Sequence, residues 1–441
     1  MYEKEEEKLK KLKEQLDSRP LPLTEADQAI REGMERAKRE TRQVRKRRKR
    51  FYGTVAVVAL LLLTFVTSIR VSPAFANAVA SIPGMEKFVE LISMDKGLDA
   101  AFQNDYYQQI GASQTIGDLT LTIDGVILDE SGMNVFYTID SEQLLERIRI
   151  ETVDLEMEGG MPEGSVSYGS PQEEDEKDRK YTDRIDFHFV DPYLSQNLSF
   201  DLKVEALVSG EGTAFSVPFT VPEKIKSSEV YTLNQEVEID SQKFTVETVT
   251  ISPLRVGVKI VLDPSNRMKI LNFEDMRLED EKGEVWSSIK NGTTAFGEVD
   301  DSRRTYFLQS NYFNQPKKLY LRMNKVQAVR QEDAVAEINT ETGEWLNQPA
   351  DQKIELVESD KYHVELRMPS EGENGVHYDL FSSITDSAGK EVNKTSTGMY
   401  TIDGFDHWNI SFSPTDHQNP LKLELSAYPN YLEGDVKLEL K

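Results

Sequence analysis

Residues 51–69 read FYGTVAVVALLLLTFVTSI, 19 positions without a charge. As a helix rising about 1.5 Å per residue, the run is ~28 Å long, close to the roughly 30 Å hydrocarbon core of a bilayer. Phe51 and Tyr52 suit one interface, and Arg70 can snorkel to the other. Just before the run stand Arg42, Arg45, Lys46, Arg47, Arg48, Lys49 and Arg50, seven cations against the single Arg70 beyond it. This asymmetry predicts one transmembrane helix over 51–70, with the amino end in the cytoplasm and the bulk of the chain outside a plasma membrane. The same cations would hold anionic lipid headgroups, at on the order of 1 kcal/mol each. The rival reading is a cleaved signal peptide ending at Ala74-Phe75-Ala76. Against it, about 50 residues precede the apolar run, and a signal n-region is far shorter.

Charge follows the same division. Residues 1–50 carry 17 basic and 11 acidic side chains, whereas 71–441 carry 34 and 66. A region so acidic repels phosphate, so nucleic acid is not an expected partner. There is no cysteine, which removes disulfides and thiol-based zinc or redox chemistry. An extracytoplasmic region without disulfides fits a Gram-positive envelope better than an animal cell surface. At 441 residues the chain is longer than one compact domain usually is.

Two helical stretches are readable in the cytoplasmic segment, 1–50. Leu9, Leu12 and Leu16 recur at helical spacing among Lys and Glu over 3–17, and Pro20 closes that stretch. Thr24–Asp27 then reads as a helix start, with Ala26, Ile30, Met34 and Ala37 on one face. Neither face is large enough to fold alone. The segment is therefore either a solvated tail or a helix pair that folds on a cytoplasmic partner, with Leu9, Leu12, Leu16, Ile30 and Met34 as the contact residues. In the juxtamembrane region, 71–112, Met85, Phe88, Val89 and Ile92 give an amphipathic helix after Ile82-Pro83-Gly84, and a second short helix is expected around Leu98–Ile110. Packing beneath a β domain is expected of both, because neither has the basic face of a lipid-binding helix.

From Ser113 the periodicity changes to two. Leu119, Leu121 and Ile123 alternate with Thr and Asp, and such strands recur to the end, broken by Gly, Pro, Asn and Asp. No long helical pattern intervenes, so antiparallel sandwiches are expected rather than βαβ units. A repeat supports this. Phe189 to Phe200, Leu308 to Leu319 and Phe412 to Leu423 are each separated by 11 residues, and each marks paired apolar strands. Asp280–Val285 and Asp386–Val392 share an Asp…Gly turn, and Leu121 to Val135 matches Phe244 to Val258 at 14 residues. The fold class is mainly β: three tandem immunoglobulin-like antiparallel sandwiches over 113–225, 226–332 and 350–441. A linker is expected at 333–349, and an acidic loop over Gln172–Arg179.

No catalytic constellation is legible. His188, His363, His377, His407 and His417 show no ligand spacing; His407 and His417, near Asp403, Asp406 and Asp416, are the nearest approach to a metal pair across a hairpin. Phosphate loop, dinucleotide fingerprint and nucleophile elbow are missing. Trp286, Trp345 and Trp408 are too scattered for a glycan platform, so core packing is expected of them. Neither enzyme activity, metal nor cofactor is expected.

The basic run, the apolar segment, Arg70–Ala76, Ile82–Gly84 and Phe88–Ile92 together resemble a bacillar family of single-pass membrane proteins. These carry a domain of unknown function and are often encoded beside extracytoplasmic-function (ECF) sigma factors. The likeness runs to about residue 140, and Tyr231–Val326 looks like a second uncharacterised domain that commonly follows. The resemblance implies an anti-sigma-factor-like role. It departs from the zinc-binding anti-sigma class, whose His-x-x-x-Cys-x-x-Cys motif needs cysteines this chain lacks.

Two functions are therefore expected in competition. In one, the cytoplasmic helices bind an ECF sigma factor while the outer β domains sense an envelope condition or ligand. In the other, stacked sandwiches form a surface-anchored binding or spacer protein with no signalling role.

Overall fold

The computed structural model describes residues 3–18, 31, 34, 95–145, 148–157, 160–169, 179–195, 197–208, 211–289, 295–297, 302–370, 380–413 and 417–441. The apolar run 51–69, the basic residues 42–50, Ile30, the expected helix after Gly84 and most of the acidic loop at 172–179 lie outside these residues. Among the described residues no helix is long and apolar enough to cross a membrane. The chain divides into one unit over Met1–Pro73 and another over Ala74–Lys441. The first contains helix α1, Glu3–Asp17, with no buried residue.

The second unit is almost entirely antiparallel β. It opens with helix α2, Lys96–Gln103. The helix expected near 98–110 is thus shorter, because Gln108 already pairs with Val126. The first sandwich follows: β1 Gln108–Ile116, β2 Leu119–Asp129, β3 Gly132–Ser141, β4 Ile148–Glu156, β5 Gly164–Tyr168, β6 Lys180–Phe189, β7 Ser199–Val208 and β8 Glu211–Thr220. Its sheets are ordered β1-β2-β3-β6-β5 and β4-β7-β8. Leu121, Ile123, Val135 and Tyr137 from one sheet meet Leu202, Val204, Phe215 and Val217 from the other in one buried core. The period of two in the sequence is the alternation between this core and the outside.

The second sandwich repeats the plan with β9 Glu229–Ile239, β10 Gln242–Ile251, β11 Arg255–Leu262, β12 Met268–Asp280, β13 Val285–Ser287, β14 Ala295–Gly297, β15 Arg303–Gln309 and β16 Leu319–Arg330. One sheet runs β9-β10-β11-β15-β14, the same order as in the first sandwich. Its other sheet, β13-β12-β16-β25, is completed by the chain's last strand, β25, Tyr431–Glu439. Leu321 pairs with Leu438 and Met323 with Val436.

The third sandwich is therefore inserted between β16 and β25 of the second. It contains β17 Val335–Asn339, β18 Glu344–Asn347, β19 Glu355–Asp360, β20 His363–Pro369, β21 Phe381–Thr385, β22 Lys394–Ile402, β23 Phe405–Phe412 and β24 Leu421–Leu425. Its sheets are ordered β19-β20-β23-β22 and β18-β17-β24-β21. Two expected boundaries change as a result. Residues 333–349 are not a linker: Ala336 and Ile338 of β17 are buried and pair with Leu423 and Leu421. Residues 431–439 belong to the second core, where Leu432, Val436 and Leu438 are buried. Having sent β25 back, the third sandwich fills the vacant place beside β24 with β17, which precedes the rest of it.

The repeated spacings have structural counterparts. Each interval of 11 residues spans β6 to β7, β15 to β16 or β23 to β24. The two Asp…Gly turns are the same turn. Asp280 Oδ1 accepts from Lys282 N and Glu284 N, and Asp386 Oδ1 accepts from Ala388 N and Lys390 N. Gly283 and Gly389 sit at φ 83° and 79°, a left-handed backbone that glycine takes without a Cβ penalty.

Candidate functional site

The first sandwich is not solvated on the far side of its larger sheet. Past a bulge in β2, Val126 and Leu128 face the core while Ile127 faces outward, and Phe136 of β3 does the same; all four are fully buried. A strand buried on both faces needs a second packing partner. Here it is helix α2 together with the start of the second sandwich. Leu98, Ala101, Phe102, Tyr106, Ile127, Phe136 and Leu254 form a separate buried cluster.

The helix is built to sit there. Asp95 adopts an extended N-cap conformation and accepts from Gly97 N at 2.8 Å and Leu98 N at 3.3 Å. Leu98, Ala101 and Phe102 occupy one face at i, i+3, i+4. Phe102 stacks on Tyr107 at 4.7 Å and meets Phe136 edge-on at 5.5 Å. A Cβ on Gly125 would lie 2.3 Å from the Tyr107 ring, and one on Gly97 would lie 2.7 Å from Ser310 N. Tyr106 donates to Leu128 O at 2.7 Å and accepts from Lys226 N at 3.1 Å, and Lys226 Nζ lies over the Tyr106 and Phe313 rings at 5.0 and 4.9 Å.

Charge is buried beside this cluster. Asp129 accepts from Ser131 N and Oγ, each at 2.7 Å, and from Leu254 N of the second sandwich at 2.6 Å. Arg255 is 3% exposed, with its guanidinium 5.5 Å from the centre of the Phe307 ring. Arg184 and Asp186 pair at 2.7 Å on the outward side of β6. His188, 4% exposed, lies 5.8 Å from Phe307. Arg255 Nε and Nη1 and both His188 ring nitrogens have no hydrogen-bond partner among the described residues. Burial pushes the Asp95 and Asp129 carboxyls up, against the pull of the Leu98 amide on the first and of Arg255 on the second. Burial likewise pulls the Arg255 guanidinium down, against the charges of Asp129, Asp186 and Asp95.

The residues singled out in sequence fall elsewhere. Leu9, Leu12 and Leu16 are 68%, 59% and 66% exposed on α1, and Met34 is 62% exposed. His407 and His417 do not come together as ligands. His407 Nδ1 meets Glu365 Oε1 at 2.8 Å under a stacked Tyr400, while the His417 ring lies edge-on to Tyr362 and Phe412. Among the described residues no cluster of acidic or histidine side chains is arranged to hold a metal ion. Trp286 and Trp408 are core residues, and Trp345 is half-buried. The joint itself was missed, since Asp129 and Arg255 lie 126 positions apart. Its one local signal is an arginine placed against the apolar run of β11.

The fold and joint define a class: tandem antiparallel β-sandwiches with a short helix clamped between the first two. Residues 45–141 match the model of a domain of unknown function (DUF4179), and residues 228–366 match that of a family of unknown function (DUF5643). No curated protein matches the chain. Among solved structures, the crystal structure of the conserved domain protein from Bacillus anthracis is 17% identical, covering 55% of this chain and 84% of that one. Its TM-score of 0.38 is too low to carry a structural argument.

Proposed function

We propose that this is a single-pass membrane signal regulator of anti-sigma-factor-like type. Its immunoglobulin-like sandwiches lie outside the plasma membrane and sense the envelope, and its cytoplasmic helices bind an ECF sigma factor. The observation that carries the reading is the burial of α2 between the first two sandwiches. This helix stands where the chain enters the β region from the apolar run 51–69, so a change in how the sandwiches meet is felt first by the segment leading to the membrane. A spacer needs no such coupling. The exposed stripe of Leu9, Leu12 and Leu16 adds support, since leucines left bare on one helix face fit a partner surface. The cation-rich residues 42–50 fit a cytoplasmic flank against anionic lipid.

The test exchanges residues 1–40 of the full-length protein for an unrelated basic tail and follows a sigma-dependent reporter, with co-purification of the sigma factor from membranes. Loss of both repression and co-purification is expected. Unchanged function with the foreign tail would instead favour a surface-anchored binding or spacer protein.

A further inference from the structure

We propose that the contact between the first and second sandwiches is a releasable joint, held shut by Arg255, whose opening frees α2. The proposal rests on the regulatory reading above and supplies its moving part.

Opening requires no strand to separate from its neighbour. Among the described residues no β-ladder joins β1–β8 to β9–β16, and the connection from β8 to β9 is a single segment after Thr220. What closes the joint is apolar: Leu98, Ala101 and Phe102 set against Ile127, Phe136 and Leu254. What opposes closure is polar. Arg255 and His188 are buried with ring and guanidinium nitrogens unpaired. Each buried group left without its hydrogen bond costs about 1–3 kcal/mol, which water restores once the surfaces part. A contact in which these terms nearly balance is a two-state element rather than a fixed one.

Arg255 is both the pin and the weak point. It is the buried cation facing Asp129, Asp95 and Asp186, so the closed form depends on its charge. Yet it lacks the hydrogen bonds that would make a buried charge cluster secure. Once released, α2 has only eight residues, too few to remain helical alone. Release therefore converts a docked helix into slack chain between the sandwiches and the apolar run.

The chain has no cysteine, so single cysteines report cleanly. Ala101→Cys reports α2 and Ala206→Cys the first core, both at positions with 0% exposure. In full-length protein in membranes, both thiols should resist a maleimide. Adding Arg255→Met should speed labelling at 101 on the order of tenfold or more while position 206 stays protected. The pair Arg255→Met with Asp129→Asn removes both charges and should slow labelling at 101 again. The proposal is overturned if Arg255→Met leaves position 101 protected, if 101 and 206 become reactive together, or if the double variant labels as fast as the single one. No sigma factor enters this measurement, so a failure of sigma binding and a failure of the joint are read separately.

Discussion

Between the first and second sandwiches the chain crosses once, and the buried contact contains Asp129 and an incompletely bonded Arg255. Between the second and third it crosses twice, through the turn at Gln331–Asp333 and through Ser426–Asn430. Here the contact is apolar. Leu271 of β12 and Val329 of β16 extend out of the second sandwich into the third core. The polar groups at this second joint are paired: Asn430 Nδ2 donates to Ala328 O at 2.6 Å, Arg304 Nη1 to Leu271 O at 2.7 Å, and Lys269 meets Glu424 at 2.5 Å. The difference is one of cooperativity. The second and third sandwiches share strands and core, so they should fold and unfold together, whereas the first is fastened by a contact that can open without disturbing any sheet.

The strongest way to break this comparison is to end the chain at Tyr428. The truncation removes β25, with Leu432, Val436 and Leu438, each worth about 1.5–3 kcal/mol when buried. That sum rivals the ordinary stability of a domain, roughly 5–15 kcal/mol. The second and third sandwiches should therefore be lost in one transition while the first survives as a protease-resistant fragment. A third sandwich that keeps Trp408 shielded after the second has melted would show that the insertion is a separate unit.

Leu271→Ala tests the same coupling more gently. A buried leucine cut to alanine costs about 2–5 kcal/mol, and here the cavity opens in the third core from a strand of the second. Denaturant melts followed at Trp286 and at Trp408 should shift by the same amount. Shifts confined to one tryptophan would mean the shared core does not couple the two. At the first joint, Gly125→Ala puts a Cβ 2.3 Å from the Tyr107 ring and must displace it from Phe102 and Phe136. A cost of about 1–3 kcal/mol is expected, read as faster hydrogen exchange at the α2 amides with the β2–β3 ladder still protected.

The strand pairs were legible in sequence because inward positions alternate strictly, as at Leu119, Leu121 and Ile123, and because equivalent hairpins keep the same spacing. The return of β25 was not. Leu432, Val436 and Leu438 give the same pattern whichever sandwich receives them, and only the register with Leu321 and Met323 decides. β17 was hidden by composition, since its outward positions are polar and only Ala336 and Ile338 point inward. The joint was hidden for a deeper reason. Asp129 and Arg255 each look like a solvated residue at a strand end, and their burial exists only once two sandwiches meet.

The smallest effect concerns a charge cluster that stays within one sheet. Glu365, on the outward side of β20, accepts from Tyr400 OH and meets His407 Nδ1, both at 2.8 Å. The Tyr400 hydroxyl, then the His407 ring, hold its carboxyl below the usual range. A carboxylate lowered on folding adds stability that is present above its unfolded value and is lost as pH falls through the folded one. Tyr400→Phe should therefore reduce stability at neutral pH, by no more than about 1.5 kcal/mol, and make little difference at roughly pH 3, where both forms are protonated. Carboxyl NMR titration should show Glu365 moving up toward the ordinary range. An equal loss at both pH values would mean that Tyr400 acts by covering His407 rather than through its hydroxyl. Either result leaves α2 docked, because every partner of Glu365 lies on its own sheet, whereas the partners of Arg255 lie across the joint.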